Sequence, residues 1–200
     1  MDDNAPVDPA VLLWDFGDTL VDERWMRRPP ERCPAWPEVW VAAMEVHDDD
    51  WNDGTIGRAE VFASLAERSG MSVADVETHA RECCSRLEFH RNAWRTATER
   101  RFRQALVTVN PDIFEEWLVP EYHLGTTFDA IVISSVERTN DKTELCDIAL
   151  QRLGSGVRRS DALLIDNRLD LIEAWREAGG LGYWFQGDDQ FAKDLPNLLP

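Results

Sequence analysis

The sequence predicts an α/β fold with a doubly wound parallel sheet and a helical unit inserted after the first strand. The chain contains five short apolar runs bounded by turn residues, a pattern typical of buried strands, at residues 11–15, 105–109, 130–133, 162–165 and 182–185. Helical patterns separate the last three runs, and strands that alternate with helices form parallel sheets covered on both faces. Residues 37–102 hold no convincing strand, so this stretch is predicted to be helical.

The insert begins with a proline-rich linker. Four of the ten prolines lie in residues 22–37, where they break regular structure and indicate a chain leaving the sheet. Apolar residues at helical spacing then predict helices at residues 38–46, 57–69 and 73–100, the last with an internal break. Between the later strands, helices are predicted at residues 143–153 and 170–178, and a polar tail follows the last strand. The expected domains are a core of residues 1–21 and 103–200 and a helical domain of residues 22–102.

Composition limits the classes of function. Two hundred residues with 44% hydrophobic content can bury a sizeable core. The formal charge of −17 argues against binding to nucleic acid or to an anionic membrane, because both require a positive surface. An anionic substrate would need a local exception, such as a metal ion. The sequence shows neither a membrane-spanning apolar run nor a secretion signal, so we expect a cytoplasmic protein.

Cysteine and histidine spacing gives no metal motif. The four cysteines show no paired spacing and are expected to be reduced structural thiols, at positions Cys33, Cys83, Cys84 and Cys146. The four histidines show no partner spacing and are treated as surface or helix residues.

Two apolar strands end in carboxylates. Asp15 closes the first strand and Asp166 the fourth, and the carboxyl ends of parallel strands lie at one edge of the sheet, where ligands bind in open α/β folds. Two carboxylates at one edge suit Mg²⁺, which takes oxygen ligands and substrate phosphate. Asp170 opens the next helix and is either a support for this metal site or an ordinary helix cap. The residues around Asp15 are equally compatible with a plain strand followed by a Gly-Asp turn.

These residues resemble, in order, the four motifs of the haloacid dehalogenase superfamily. The matching positions are Asp15-Phe16-Gly17-Asp18-Thr19, Thr108, Lys142 and Asp166-Asn167-Arg168-Leu169-Asp170. The resemblance covers about residues 11–186. It implies a Rossmann-like core and a helical cap inserted after the first motif, which matches the predicted insert in position and size.

The resemblance also implies roles for individual residues. Asp15 would be the nucleophile that accepts a phosphoryl group, Thr108 would hydrogen-bond a phosphoryl oxygen, and Lys142 would hold the negative charges together. A lysine at a helix start opposes the helix dipole, which favours a functional reason for its position. The implied Mg²⁺ site uses the carboxylates of Asp15 and Asp166, the main-chain carbonyl of Gly17, and Asp170.

Three departures from the motifs concern the chemistry. Gly17 stands where phosphatases of the superfamily usually carry a second aspartate, the general acid and base. Asp18 could replace that aspartate only if the turn were re-aimed. Asn110 follows Thr108 after one intervening residue instead of directly, so either of these two could be the phosphate-binding residue. Asn167 stands where a second acid is common.

The expected function is therefore a Mg²⁺-dependent phosphatase of a small phosphorylated metabolite. One alternative is a metal-independent dehalogenase, which attacks carbon and needs no acid at position 17. Another is a catalytically degenerate chain that binds a ligand or partner through the insert. The tryptophans of the insert either line the pocket or form the insert's own core, at Trp25, Trp36, Trp40 and Trp51.

Overall fold

A five-stranded parallel sheet forms the centre of the structure, a computed structural model that describes residues 9–154 and 156–199. Its strands are β1 (Val11–Trp14), β2 (Arg103–Thr108), β3 (Ala130–Ile133), β4 (Ala162–Asp166) and β5 (Leu181–Trp184). They pair in the order β3-β2-β1-β4-β5, and each neighbouring pair is parallel. The chain winds outward from β1 first to one side and then to the other, so the predicted doubly wound sheet is confirmed.

Ten α-helices connect and flank the strands in the described part of the chain. They are α1 (Trp36–Asn52), α2 (Arg58–Ser69), α3 (Val73–Cys84), α4 (Arg91–Thr98), α5 (Val119–Glu121), α6 (Leu124–Thr127), α7 (Ser134–Glu137), α8 (Lys142–Leu153), α9 (Leu169–Glu177) and α10 (Asp188–Leu198). Short 3₁₀ helices occupy Glu23–Arg27 and Arg159–Asp161, and a π-helix occupies Phe114–Leu118.

Several predicted boundaries were wrong for identifiable reasons. Pro37 lies in the first turn of α1 and helps to begin that helix, where the sequence predicts the end of a linker. The predicted helix of residues 73–100 is two helices, α3 and α4, separated at residues 85–90. The predicted polar tail contains α10, because Phe191 buries its ring completely and Leu195 and Leu198 pack against the same core.

Alternating side chains of β1 divide the interior into two hydrophobic clusters. Val11 and Leu13 face α8 and α9 on one side of the sheet. Leu12 and Trp14 face the other side, in a cluster that continues without interruption through the helical insert. Both faces of the sheet are therefore covered, as a parallel sheet requires.

The helical insert is tied to the sheet at several points. Backbone bridges join Val21 to Gly17 and to Phe89, on the two sides of the insert. The Asp188 carboxylate accepts hydrogen bonds from the backbone N–H groups of Asn92 and Ala93, at the start of α4. Because α4 packs on α10 next to the sheet, the division of the chain at residues 22 and 102 stays a prediction.

The cysteines are unpaired and buried, as predicted for structural thiols. Burial raises the pKa of Cys83 to about 11 and the pKa values of Cys84 and Cys146 to about 12. These thiols therefore stay protonated and unreactive near neutral pH. Among residues 9–154 and 156–199, no helix combines the length and the apolar character needed to cross a membrane.

Candidate active site

The carboxyl ends of the three central strands meet at one cavity. Asp15 directly follows β1, Thr108 ends β2 and Asp166 ends β4, and all three residues line this cavity of about 580 Å³. Lys142, the first residue of α8, lines it as well. The structure thus brings together four of the residues predicted from the sequence.

Lys142 is the buried centre of this group. Its Nζ donates a hydrogen bond of 2.6 Å to Asp15 Oδ1 and another of 2.7 Å to the main-chain carbonyl of Val107. The same atom lies 3.0 Å from Asp166 Oδ2. Only 3% of the Lys142 side chain is exposed, so the ammonium group is held between two carboxylates away from bulk water. A surface lysine at a helix start would show none of these contacts.

Burial and neighbouring charges shift the pKa values of this pair. Burial raises the pKa of Asp15 from 3.8 to about 7; Lys142 opposes this shift and Asp166 adds to it. Burial alone would lower the pKa of Lys142, but Asp15 and Asp166 together raise it above its ordinary value. Lys142 therefore remains charged at any physiological pH, while the Asp15 carboxyl titrates close to neutrality in the free protein.

Asp166 presents one oxygen that lacks a hydrogen bond. Its Oδ1 accepts a hydrogen bond of 2.8 Å from the backbone N–H of Arg168, which fixes the carboxylate at the end of β4. Its Oδ2 is buried and receives no hydrogen bond, although the Lys142 ammonium lies nearby. Buried polar oxygens normally have a partner. An oxygen in this state, beside a second carboxylate, has the chemistry of a hard-cation ligand.

The donor set for a cation is small. Among the described residues, no group of three or more His, Cys, Asp or Glu side chains surrounds a common point. The available oxygens are those of Asp15 and Asp166, together with the backbone of Gly17, which lines the same cavity. Two carboxylates with waters and substrate oxygens are a common arrangement for Mg²⁺, so these residues fit that ion.

Thr108 and Asn110 both reach the cavity, and they contact each other. The Asn110 side-chain Nδ2 donates a hydrogen bond of 2.6 Å to Thr108 Oγ1. The Thr108 hydroxyl therefore acts as an acceptor here, and its own hydrogen is left to donate elsewhere. Asn110 is held through its backbone N–H, which donates to Ser134 Oγ at 2.8 Å. The sequence analysis did not single out Ser134, because a serine directly after a strand is common and carries no signal of this contact.

Asp18 does not replace the acid that is absent at Gly17. Its carboxylate is exposed, outside the cavity lining, and its Oδ1 accepts a hydrogen bond of 2.9 Å from the backbone N–H of Glu23. The backbone of Asp18 is left-handed, with φ of 50°, as is tolerated by aspartate in turns. The turn is thus not re-aimed, and the side chain that lies beside Gly17 is that of Glu23.

Glu23 is a residue of the cavity that sequence reasoning missed. Burial raises the pKa of its carboxyl, and the Asp18 charge adds to this effect. Glu23 lies in the stretch predicted to be a linker, and no spacing rule connects it to Asp15. The available signal was the glycine itself, because a missing side chain leaves room for another one to enter.

The structure does not bring Asp170 to the cavity. Asp170 lies in the first turn of α9, with 64% of its side chain exposed, and its carboxylate pairs with Arg168 at 2.6 Å. The position that precedes α9 is occupied by Arg168, so Asp170 is not the helix cap either. The structure corrects the prediction that Asp170 lies beside the metal ligands, because the first turn of α9 directs this carboxylate toward an exposed arginine.

Solved structures share this architecture over nearly the whole chain. A HAD family enzyme from Bacteroides thetaiotaomicron matches with a TM-score of 0.73 and 15% identity, covering 94% of this chain and 98% of that one. A HAD-like family hydrolase from Porphyromonas gingivalis gives 0.69 at 15% identity, covering 96% and 97%. L-2-haloacid dehalogenase from Xanthobacter autotrophicus gives 0.65 at 15%, covering 94% and 82%. The chain has the haloacid dehalogenase (HAD) fold.

At these levels of identity the likeness concerns the fold alone. No protein-family model and no curated protein matches the sequence. The bacteroidal enzyme has also been solved in complex with magnesium and inorganic phosphate, with a TM-score of 0.64 at 14% identity and coverage of 90% and 95%. The fold expected from the four motifs is confirmed.

In this HAD fold the helical insert supplies the wall of the cavity opposite the strand ends. Its apolar part comes from the 3₁₀ helix and α1, at Trp25, Met26, Trp40, Val41, Met44 and Trp51. Trp51 is also almost fully buried, so it serves both the insert's core and the cavity wall. Trp36 does not line the cavity; it packs edge-on against His79 and donates a hydrogen bond of 2.8 Å to the carbonyl of Met26. Carboxylates of the insert also reach this wall, at Glu23, Glu45 and Asp48.

Proposed function

We propose that the chain is a hydrolase of the HAD superfamily, a Mg²⁺-dependent phosphatase that forms an aspartyl-phosphate on Asp15. The observation that carries this proposal is the contact of one buried ammonium group with two carboxylates. Lys142 lies within 3.0 Å of both Asp15 and Asp166, at the end of a cavity large enough for a small molecule. Such a costly buried cluster is typical of a functional site.

Asp15 is the nucleophile in this proposal. Lys142 binds Oδ1 of its carboxylate, and among the described residues none donates a hydrogen bond to Oδ2. The free oxygen can attack the phosphorus of a bound ester, and the bond to Lys142 fixes its direction of approach. Lys142 also offsets the negative charge that gathers on the transferring phosphoryl group.

Thr108 is the proposed donor to the phosphoryl group. Its hydroxyl oxygen is occupied by the Asn110 amide, so its hydrogen points to another acceptor. Asn110 supports Thr108 by this bond and lines the cavity beside it. This arrangement gives the direct contact to Thr108 and a positioning role to Asn110.

The charges of the site account for the metal requirement. A phosphate ester brings two negative charges to a place that already holds two carboxylates and one ammonium group. Asp15, Asp166 and the carbonyl of Gly17 would hold the Mg²⁺ ion. When bound, the ion supplies positive charge that binds phosphoryl oxygens beside the carboxylates. Asp166 Oδ2, which receives no hydrogen bond and whose contact is the Lys142 ammonium, supports this assignment.

The substrate is a small phosphorylated metabolite. A cavity of about 580 Å³ accommodates a small molecule, and the helical insert closes it as a cap. The aromatic wall favours a substrate with an apolar portion, which Trp25 and Trp40 would contact. Support also comes from the bacteroidal HAD family enzyme, which has been solved with magnesium and inorganic phosphate.

A metal-independent dehalogenase is the second candidate. It is favoured by the likeness to L-2-haloacid dehalogenase and by Gly17, since attack on carbon needs no acid at that position. The second buried carboxylate, Asp166, opposes it, because a metal-free attack on carbon does not require another carboxylate beside Asp15. A purely binding role does not explain why Lys142 is buried between Asp15 and Asp166.

The proposal predicts hydrolysis of 4-nitrophenyl phosphate that requires Mg²⁺. Activity should disappear when the ion is removed by a chelator and return when Mg²⁺ is added. Titration calorimetry should detect Mg²⁺ binding to the natural chain and at least about tenfold weaker binding to Asp166→Asn. Asp189→Asn, the same change on the exposed face of α10, should bind Mg²⁺ like the natural chain. Chelator-resistant release of chloride from 2-chloropropionate, without phosphatase activity, would favour the dehalogenase instead.

A further inference from the structure

The side chain of Glu23 fills the place that Gly17 leaves open. A β-carbon on Gly17 would lie 3.1 Å from the carboxyl carbon of Glu23, 3.1 Å from its Oε1 and 3.5 Å from its Cγ. A spacing of 3.1 Å is tighter than nine in ten real β-carbon contacts, so the carboxyl group would have to move by a few tenths of an ångström. Any larger residue at position 17 would therefore compete with the Glu23 carboxyl group for the same volume.

The backbone of Glu23 is fixed by hydrogen bonds on both sides. Its N–H donates to Asp18 Oδ1 at 2.9 Å, across the turn that follows Asp15. Asp22 caps the 3₁₀ helix, accepting a hydrogen bond of 2.9 Å from the N–H of Arg24. The next two residues, Trp25 and Met26, are buried and anchor this helix in the insert. The backbone from which the carboxyl group extends is thus held at its position by the fold.

Glu23 lines the same cavity as Asp15 and Lys142. Within residues 9–154 and 156–199, no donor hydrogen-bonds its carboxyl oxygens and no cation forms an ion pair with them; the residue as a whole is exposed, so its carboxyl group is open to a molecule that enters the cavity. A carboxyl group on the wall of a reaction cavity, free of partners and beside the nucleophile, is placed to exchange a proton with the substrate.

We propose that Glu23 is the general acid and base of the reaction, delivered from the insert in place of a side chain at position 17. This inference rests on the phosphatase proposed above and adds a catalytic residue to it. It answers a chemical need, because an alkoxide is a poor leaving group unless it is protonated as the bond to phosphorus breaks.

The proton passes out and back in two steps. As the Asp15 carboxylate attacks phosphorus, the ester P–O bond breaks, and the Glu23 carboxylic acid gives its proton to the leaving oxygen, releasing an alcohol. In the second step the Glu23 carboxylate takes a proton from water as the water oxygen bonds to phosphorus. The acyl-phosphate bond then breaks, Asp15 leaves as a carboxylate, and Glu23 is again a carboxylic acid.

The test compares two esters that differ in their leaving group. An alkyl phosphate, such as glycerol 2-phosphate, needs a proton on the departing oxygen, whereas 4-nitrophenyl phosphate leaves as a stable anion. For Glu23→Gln, kcat/KM for the alkyl ester is expected to fall about 10²- to 10⁴-fold, and for the aryl ester less than about tenfold. Glu45→Gln removes another carboxylate of the cavity wall and should change kcat/KM for both esters by a similar factor.

A second experiment moves the carboxyl group from position 23 to position 17, so that the test does not rely on one variant. Gly17→Asp alone should crowd Glu23 and lower the melting temperature. The double variant Gly17→Asp with Glu23→Ala removes the crowding and returns a carboxyl group to the cavity. Its melting temperature should recover, and its kcat/KM for the alkyl ester should exceed that of Glu23→Ala by about tenfold or more.

The outcomes separate the two proposals. An active natural chain, with Glu23→Gln slowing both esters equally, overturns the role of Glu23 and leaves the phosphatase proposal standing. The role of Glu23 is also overturned if the double variant recovers its melting temperature but has a kcat/KM for the alkyl ester no higher than that of Glu23→Ala. A folded natural chain that binds Mg²⁺ yet hydrolyses neither ester contradicts the phosphatase proposal, and the role of Glu23 falls with it.

Discussion

Replacing Asp15 by asparagine is expected to abolish phosphate-ester hydrolysis while the protein stays folded. Asparagine keeps the size of the side chain and a carbonyl oxygen for Lys142, but it has no carboxylate to attack phosphorus. Turnover should fall on the order of 10⁴-fold or more, as expected when a covalent nucleophile is removed. The measurement is kcat for 4-nitrophenyl phosphate, with Asp189→Asn on exposed α10 as the matched control.

The same variant should be more stable than the natural chain above neutral pH. Because the pKa of Asp15 is raised from 3.8 to about 7, the folded state binds this proton more tightly than the unfolded state. The free energy of unfolding of the natural chain therefore falls as pH rises toward about 7, and the asparagine has no such penalty. The advantage of Asp15→Asn in urea unfolding should widen by about 2 kcal/mol from about pH 5.5 to about pH 8.5. A stability advantage of Asp15→Asn that does not change with pH would contradict the raised pKa of Asp15. Turnover by Asp15→Asn above background would contradict the role of Asp15 as the nucleophile.

Replacing Lys142 by methionine should give the largest loss of stability among the site variants. The change leaves Asp15 and Asp166 buried without the only cation that contacts them in the described part of the chain. Removing one partner of a buried ion pair costs about 3–5 kcal/mol, because the remaining charge is uncompensated. Turnover should also be lost, since the phosphoryl charge has no ammonium group beside it.

Chemical denaturation of matched variants checks this expectation. Lys193→Met changes an exposed lysine of α10 in the same way and should shift the free energy of unfolding by less than about 0.5 kcal/mol. Adding Asp15→Asn to Lys142→Met removes one of the two uncompensated carboxylates and should recover a large part of the loss. A Lys142→Met protein as stable as the natural chain would show that the buried cluster is not under electrostatic strain.

The arrangement of strands could be predicted because each strand carries its own signal. The runs that became β1 and β4 are fully buried on both faces of the sheet, which makes them continuously apolar and easy to recognise. The same rule places Asp15 and Asp166 at one edge. Boundaries were less predictable where a residue has two uses, as at Pro37, which both interrupts extended chain and begins a helix.

The parts of the site that could not be predicted depend on contacts between distant segments. Nothing local marks Glu23 as a neighbour of Gly17, because a 3₁₀ helix within a proline-rich stretch determines where its carboxyl group goes. Asp170 shows the opposite error. Its spacing from Asp166 suggested proximity, but one helical turn was enough to direct it to Arg168 and away from the cavity.

Trapping the covalent intermediate is the most direct test of the central claim. The natural chain is mixed with Mg²⁺ and excess phosphate ester, quenched with acid within one turnover, and digested for mass spectrometry. The account predicts a phosphoryl group on the Asp15 side chain, absent without Mg²⁺ and absent from Asp15→Asn. Rapid hydrolysis with no phosphorylated Asp15, or with the phosphoryl group on another residue, would contradict it.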